Sequence, residues 1–173
     1  EYRDTKGDIT HRDAIGYAGI RYTNNSGRND IITSKVAVDK KQVYFYVETS
    51  QALTPYTGNN WMLLLIDADQ NTNTGWYGYD FLINKEVKSD HITTLKKYNG
   101  ESWETVSDIP YRYEGTVLEL AVPRKLLKAE GNAISFDFHW ADNPADLKDP
   151  ISLCINGDSA PNRRFNYRFK WMK

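Results

Sequence analysis

The chain has 173 residues and a mass of 20.0 kDa, the size of one domain, with 40% hydrophobic and 26% charged side chains. Twenty-two basic against 23 acidic side chains leave a formal charge of −1, which argues against nucleic acid as a partner, because phosphate binding needs a basic surface. No apolar run approaches the ~20 residues of a membrane span, and 12 Tyr, 6 Phe and 5 Trp exclude a disordered chain.

The opening Glu-Tyr-Arg-Asp carries no initiator Met and no signal peptide, and reads as a piece of a longer protein. Without internal repeats or a linker-like shift in composition, residues 1–173 are expected to form a single domain. His11, Arg12 and Asp13 read as a salt-bridging surface loop, since no Gly-x-Ser-x-Gly elbow supplies a nucleophile for a His-Asp pair. Residues 22–30 are a loop by composition.

From residue 31 the period is mostly two. Residues 31–39 and 42–48 read as strands, with Val43, Phe45 and Val47 on one face and Tyr44, Tyr46 and Glu48 on the other. Residues 61–66 are apolar throughout and predict a central strand buried on both faces. Further strands are predicted at 79–84, 91–98, 103–106 and 111–114. The Asn99-Gly100 pair marks a hairpin between the second and third of these. Residues 116–122, 133–140 and 165–171 alternate again, and 153–156 reads as a short strand. Helix is scarce: one short turn is expected after Pro123 and another at 144–148. The pattern predicts an all-β fold, an antiparallel β-sandwich of jelly-roll-like type with one or two short helical turns.

The stretch that carries chemistry is residues 67–80, directly after the buried strand. Asp67, Asp69, Asn71 and Asn73 recur at every second position, and Asp80 returns a carboxylate from the next strand. Hard cations take roughly 6–8 oxygen ligands, which such a loop can wrap around one point. The loop is not an EF-hand: counting from Asp67, Thr72 stands at the sixth position and Gly78 at the twelfth, where that motif needs Gly and Glu. A calcium ion is expected between the clustered carboxylates, because Asp67 and Asp69 repel without one. The other reading is a hairpin whose Asp and Asn side chains bond their own backbone. Trp76, Tyr77 and Tyr79 fall in the same loop. Exposed, they would be platforms for the apolar faces of sugar rings. Turned inward, Trp76 or Tyr79 would cover the end of the core.

Elsewhere the signals are weaker. The single cysteine, Cys154, excludes an intrachain disulfide and reads as a buried inert thiol. His11, His91 and His139 lack zinc-ligand spacing. Met62 and Met172 are the only methionines, and neither is in an evident His-Met pairing that would support haem. Asp158, Asn162, Arg163 and Arg164 would either line a polar site or tie the last strand to acidic residues 4–8. No carboxylate stands out as half of a glycosidase pair, so the chain is expected not to be an enzyme.

The run 36–49, the strand ending in Ile66-Asp-Ala-Asp, the loop 71–80, the pair of strands around Leu118-Glu-Leu-Ala-Val-Pro and the strand Phe136-Asp-Phe-His-Trp-Ala-Asp follow an order that resembles family 9 carbohydrate-binding modules. These are β-sandwiches related to DOMON-type domains, and the resemblance spans roughly residues 31–142. It also extends to domains attached to larger exported bacterial proteins, glycoside hydrolases among them. It implies a non-catalytic carbohydrate-binding module, outside the cytoplasm, whose partners are a polysaccharide or oligosaccharide and the catalytic domain of the same polypeptide. It implies structural calcium at Asp67, Asp69, Asn71, Asn73 and Asp80. The family holds sugar between two Trp rings, and the positions that suit this role are Trp76, Trp103 and the neighbouring Tyr79. A structural or protein-interaction sandwich with no glycan affinity is the alternative.

Overall fold

A computed structural model of the chain describes residues 1–9 and 12–173; His11 of the predicted surface loop lies outside them. Thirteen strands are described: β1 (Tyr2–Arg3), β2 (Arg12–Ile15), β3 (Arg21–Asn24), β4 (Ile31–Val38), β5 (Gln42–Thr49), β6 (Leu63–Asp67), β7 (Phe81–Val87), β8 (Ile92–Tyr98), β9 (Trp103–Glu114), β10 (Val117–Pro123), β11 (Ala133–Asp142), β12 (Asp158–Ala160) and β13 (Tyr167–Met172). A 3₁₀ turn (Tyr17–Gly19) and the single α-helical turn α1 (Ser152–Ile155) complete the elements.

All pairings are antiparallel, and the order runs β1-β4-β5-β10-β9-β8-β7-β6-β11-β12, with β13 also on β11. Strand β9 is the corner. Its first part pairs with β8 up to Pro110, and residues 111–114 pair with β10. The long ribbon thus folds into two faces: β1, β4, β5 and β10 on one side, and β8, β7, β6, β11, β12 and β13 on the other. The result is the antiparallel β-sandwich that the period-two pattern predicts. The hairpin β2–β3 stands apart as its own two-stranded sheet.

Alternation decides what lies inside. Val43, Phe45, Val47, Leu118, Leu120 and Val122 face Leu64, Ile66, Phe81, Ile83, Phe136, Phe138 and Trp140 in one core. Trp140 Nε1 donates to Ser34 Oγ at 3.0 Å, which bonds the two faces through that core. Strand β6 is apolar on its outward face as well. Leu63 and Leu65 therefore need a second cover, and they form a smaller cluster with Trp76, Tyr79, Leu82, Ala141 and Leu153. Burying both faces of a strand is worth roughly 1.5–3 kcal/mol per large apolar side chain, which is why the loop after β6 folds back over it.

Several predicted boundaries move. Segment 153–156 is not a strand. Its first three residues belong to α1, whose Leu153 plugs the second cluster, and Asn156 is extended beyond the helical turn. The two strands expected at 103–106 and 111–114 are one strand, β9. Trp61 and Met62 precede β6 in a turn, with Met62 at φ +43°, yet both are buried. After Pro123, three successive i to i+3 hydrogen bonds make the expected turn, whereas residues 144–148 form bends and no helix. The Asn99-Gly100 hairpin stands: Asn99 Oδ1 accepts from the amides of Glu101 and Ser102, and Gly100 takes φ +106°.

Candidate functional site

The loop between β6 and β7 brings three of its five predicted ligands together. Asp67, Asp69 and Asp80 each offer a carboxylate oxygen, all within 4.8 Å of one another. Asp67 is 3% exposed at the end of β6. Its Oδ1 accepts from the Asn71 amide at 3.3 Å, and Asp80 Oδ2 accepts from the Ala68 amide at 2.9 Å. Burial, with added repulsion from Asp80 and Asp69, pushes the Asp67 carboxyl up to about 6. Burial raises Asp80 as well. Asn71 Oδ1 accepts from the Asn73 amide at 3.0 Å in an Asx turn. Asn73 is exposed. Carboxylates converge at the base of the loop, and Asx turns shape its tip. Gly75 is required where it stands, at φ +62°, because a Cβ there would lie 2.2 Å from the Tyr79 carbonyl oxygen.

The rings expected to stack on sugar are turned inward. Trp76 is 6% and Tyr79 is 7% exposed. They stack on each other with centroids 6.3 Å apart, and Trp103, partly buried, packs 6.2 Å from Trp76. Tyr79 also donates its hydroxyl to Asn166 Oδ1 at 2.7 Å. The expectation of an exposed platform at Trp76, Tyr79 and Trp103 is corrected on this point: they roof the outward face of β6. Of that loop only Tyr77 presents its ring to solvent.

A different polar site lies at one end of the sandwich, where four asparagines meet. Tyr56, Asn59, Asn60, Asn84, Lys85 and Asn143 line a cavity of about 360 Å³. Three of the asparagines hold left-handed backbone: Asn60 at φ +46°, Asn84 at +66° and Asn143 at +55°. Asparagine tolerates that region better than most residues, and such clusters of unusual backbone gather at functional sites. Asn84 is 3% exposed; its Nδ2 donates to the Met62 carbonyl at 2.8 Å, while its Oδ1 is buried without a partner. A buried acceptor left unmatched costs roughly 1–3 kcal/mol. Lys85 Nζ donates to Asn60 Oδ1 at 2.8 Å, and Asn60 Nδ2 donates to the Pro144 carbonyl at 2.8 Å.

One buried ion pair shapes this cavity. Asp142, fully buried at the end of β11, accepts from Arg28 Nε at 2.8 Å and from the Met62 amide at 2.9 Å. The same guanidinium donates to the Asn59 carbonyl at 2.7 Å. The Asn143 amide then closes on the Asn60 carbonyl at 2.9 Å. Sequence reading misses the cavity because its lining comes from three segments far apart in the chain. The one local signal is the density of Asn at 59–60 and 143.

A second carboxylate trio, Asp4, Asp8 and Asp158, also gathers within 4.8 Å. Burial, with repulsion from Asp8 and Asp4, pushes Asp158 up to about 8. Asn162 ties this corner to the chain's first residues, with Nδ2 donating to Asp4 Oδ1 at 3.0 Å and to Asp8 Oδ2. Arg163 and Arg164 are exposed. His139 is buried, its pKa lowered to about 4 by desolvation, and Nδ1 faces the Phe165 carbonyl at 2.9 Å. Cys154 is half-buried against the second cluster, and burial raises its thiol.

Comparison with known proteins gives no match: no family model fits the chain, and neither a curated protein nor a solved structure is significantly similar to it.

Arg28→Met leaves Asp142 buried and unpaired. It is expected to destabilise the domain by about 3 kcal/mol in urea unfolding, the low end for breaking a buried pair because the guanidinium is partly exposed. A loss under about 0.5 kcal/mol, the level of an ordinary surface change, would show that the pair does not hold this end of the sandwich together.

Proposed function

We propose that this domain is a non-catalytic carbohydrate-binding module of an exported, sugar-active protein, with a structural calcium ion at Asp67, Asp69 and Asp80. The observation that carries the sugar-binding reading is the asparagine cavity. Its amides both donate and accept, Lys85 adds a cationic donor, and Tyr56 adds an aromatic wall. A ring bearing several hydroxyls needs that mixture. The volume, about 360 Å³, sits at the low end of ligand pockets and suits one sugar residue. The asparagine amides neither take up nor release protons near neutrality, and no carboxylate lines the cavity, which supports a binding role. The resemblance of the strand order to family 9 carbohydrate-binding modules supports the same reading, as does the export context those modules share.

The carboxylate trio fits a hard cation: three oxygen-donating groups converge and repel one another, and water would complete the ~6–8 ligands that calcium takes. Asn71 and Asn73 belong to the turn that shapes the loop. A second reading, a structural or protein-interaction sandwich without glycan affinity, is favoured by the burial of Trp76 and Tyr79, which removes the rings first expected to hold sugar.

Calcium at about 100 times its dissociation constant is worth ~2.7 kcal/mol and is expected to raise the thermal midpoint by about 5–10 °C over EDTA at neutral pH. The response should vanish in Asp67→Asn/Asp69→Asn. It should also shrink as pH falls through about 6, because the metal-free carboxyl of Asp67 is raised and holds its proton below that value. In the absence of calcium the sign is opposite: the proton-linked stability from Asp67 is present at low pH and is lost as pH rises through about 6. Equal midpoints with calcium and EDTA at pH 7 would remove the ion.

Sugar binding is tested by calorimetric titration with mono- and oligosaccharides. Asn143→Gly removes an amide at a position whose left-handed backbone glycine adopts freely, and Lys85→Met removes the ammonium without shortening the stem. Each is expected to weaken the binding roughly tenfold. No heat from any saccharide would favour the scaffold reading instead.

A further inference from the structure

A groove of about 500 Å³ crosses the outward face of β4, β5, β10 and β9, and it shares no lining residue with the asparagine cavity. Two registers define it. In one, Ala37, Tyr44 and Ala121 lie side by side on β4, β5 and β10. In the next, Lys35, Tyr46, Glu119 and Arg112 form a row across all four strands.

The alanines are the reason the groove exists. Flanked only by methyl groups on the neighbouring strands, Tyr44 stands 40% exposed. Its ring is also held in place: the hydroxyl donates to Asp39 Oδ2 at 2.9 Å, and Asp39 Oδ1 is fixed by the amides of Lys41 and Gln42 at 2.7 Å each. An aromatic side chain locked before its ligand arrives loses little freedom on binding. Tyr46 is already engaged, with Lys35 Nζ 4.8 Å above its ring. The polar row offers hydrogen-bond donors on Lys35 and Arg112 and acceptors on Glu119. Lys35 and Arg112 are already paired with carboxylates, Glu1 at 3.6 Å and Glu114 at 2.9 Å, so neither cation is left to draw a polyanion.

We propose that this groove is a second binding site, for a run of a neutral polysaccharide chain, with Tyr44 stacking under one sugar ring and the Lys35–Glu119–Arg112 row bonding hydroxyls beside it. The proposal rests on the sugar-binding reading of the domain but not on the asparagine cavity. One site takes a single residue and the other a stretch of chain. Engaging both would tighten attachment by effective concentration and not by new contacts.

Affinity electrophoresis in gels containing neutral polysaccharides (xylan, mannan, mixed-linkage β-glucan and starch) tests it with the full chain. The wild type is expected to be retarded in at least one gel. Tyr44→Ala, and independently Ala121→Leu, which fills the space beside the ring, should weaken that binding roughly tenfold and leave calorimetric binding of monosaccharides unchanged. The retardation should persist in high salt, since no net charge drives it. Retardation that survives both substitutions, or that disappears with salt, would overturn the groove. No retardation in any gel while monosaccharides still bind would overturn the groove and leave the cavity standing. Silence in both assays would overturn both.

Discussion

Asp142 is the point on which the end of the sandwich depends. A carboxylate buried this deeply is costly unless matched, and burial raises its pKa even with a guanidinium beside it. The chain matches it with Arg28 from one segment and the Met62 amide from another. The turn before β6 takes left-handed backbone at Asn60 and Met62. Asn59 and Asn60 of this turn line one cavity with Asn84 and Asn143. The arrangement is continued on the far side by Gly157, where a Cβ would lie 1.8 Å from the Asp142 carbonyl oxygen. Asparagine suits the left-handed backbone that Asn60, Asn84 and Asn143 take around this cavity.

A second constraint comes from β6. Five successive apolar or buried residues, Leu63 to Asp67, give it no solvent face. The inner face meets the sandwich core, and the outer face is roofed by Trp76, Tyr79 and Leu153. That roof fixes the start and end of the 67–80 loop and thereby sets Asp67 and Asp80 beside Asp69. Trp76 and Tyr79 of this loop serve packing, and three carboxylates converge at its base.

The sandwich itself was legible because alternation is a local signal. Strands such as β5, β10 and β11 state their inward faces in every second residue. The short strands β1, β2, β3 and β12 carry two to four residues each, too few for a period to declare itself. Segment 153–156 was misread because its three apolar residues, Leu153, Cys154 and Ile155, do not distinguish a strand from a helical turn. The carboxylate trio was legible at Asp67, Asp69 and Asp80, since its members share one hairpin. The direction of Trp76 was not, although β6 held the clue: a strand apolar on both faces requires a cover, and the nearest large rings are those that follow it. The asparagine cavity and the tyrosine groove were hidden for a simpler reason. Both are assembled from segments distant in sequence, and only strand pairing sets Lys35, Tyr46, Glu119 and Arg112 in one row.

The most direct measurement is nuclear magnetic resonance of the asparagine side-chain amides during titration with single sugars. Each of Asn59, Asn60, Asn84 and Asn143 gives its own pair of NH₂ signals, so the probe sits on the groups that would do the binding. A sugar-binding cavity predicts saturable shifts in the Asn84 and Asn143 pairs at the same concentration, with the side-chain amides of Asn99 and Asn162, which belong to other corners of the fold, unmoved. If no sugar moves the Asn84 and Asn143 signals at the highest soluble concentration, the cavity is a structural pocket and the domain does not hold sugar there.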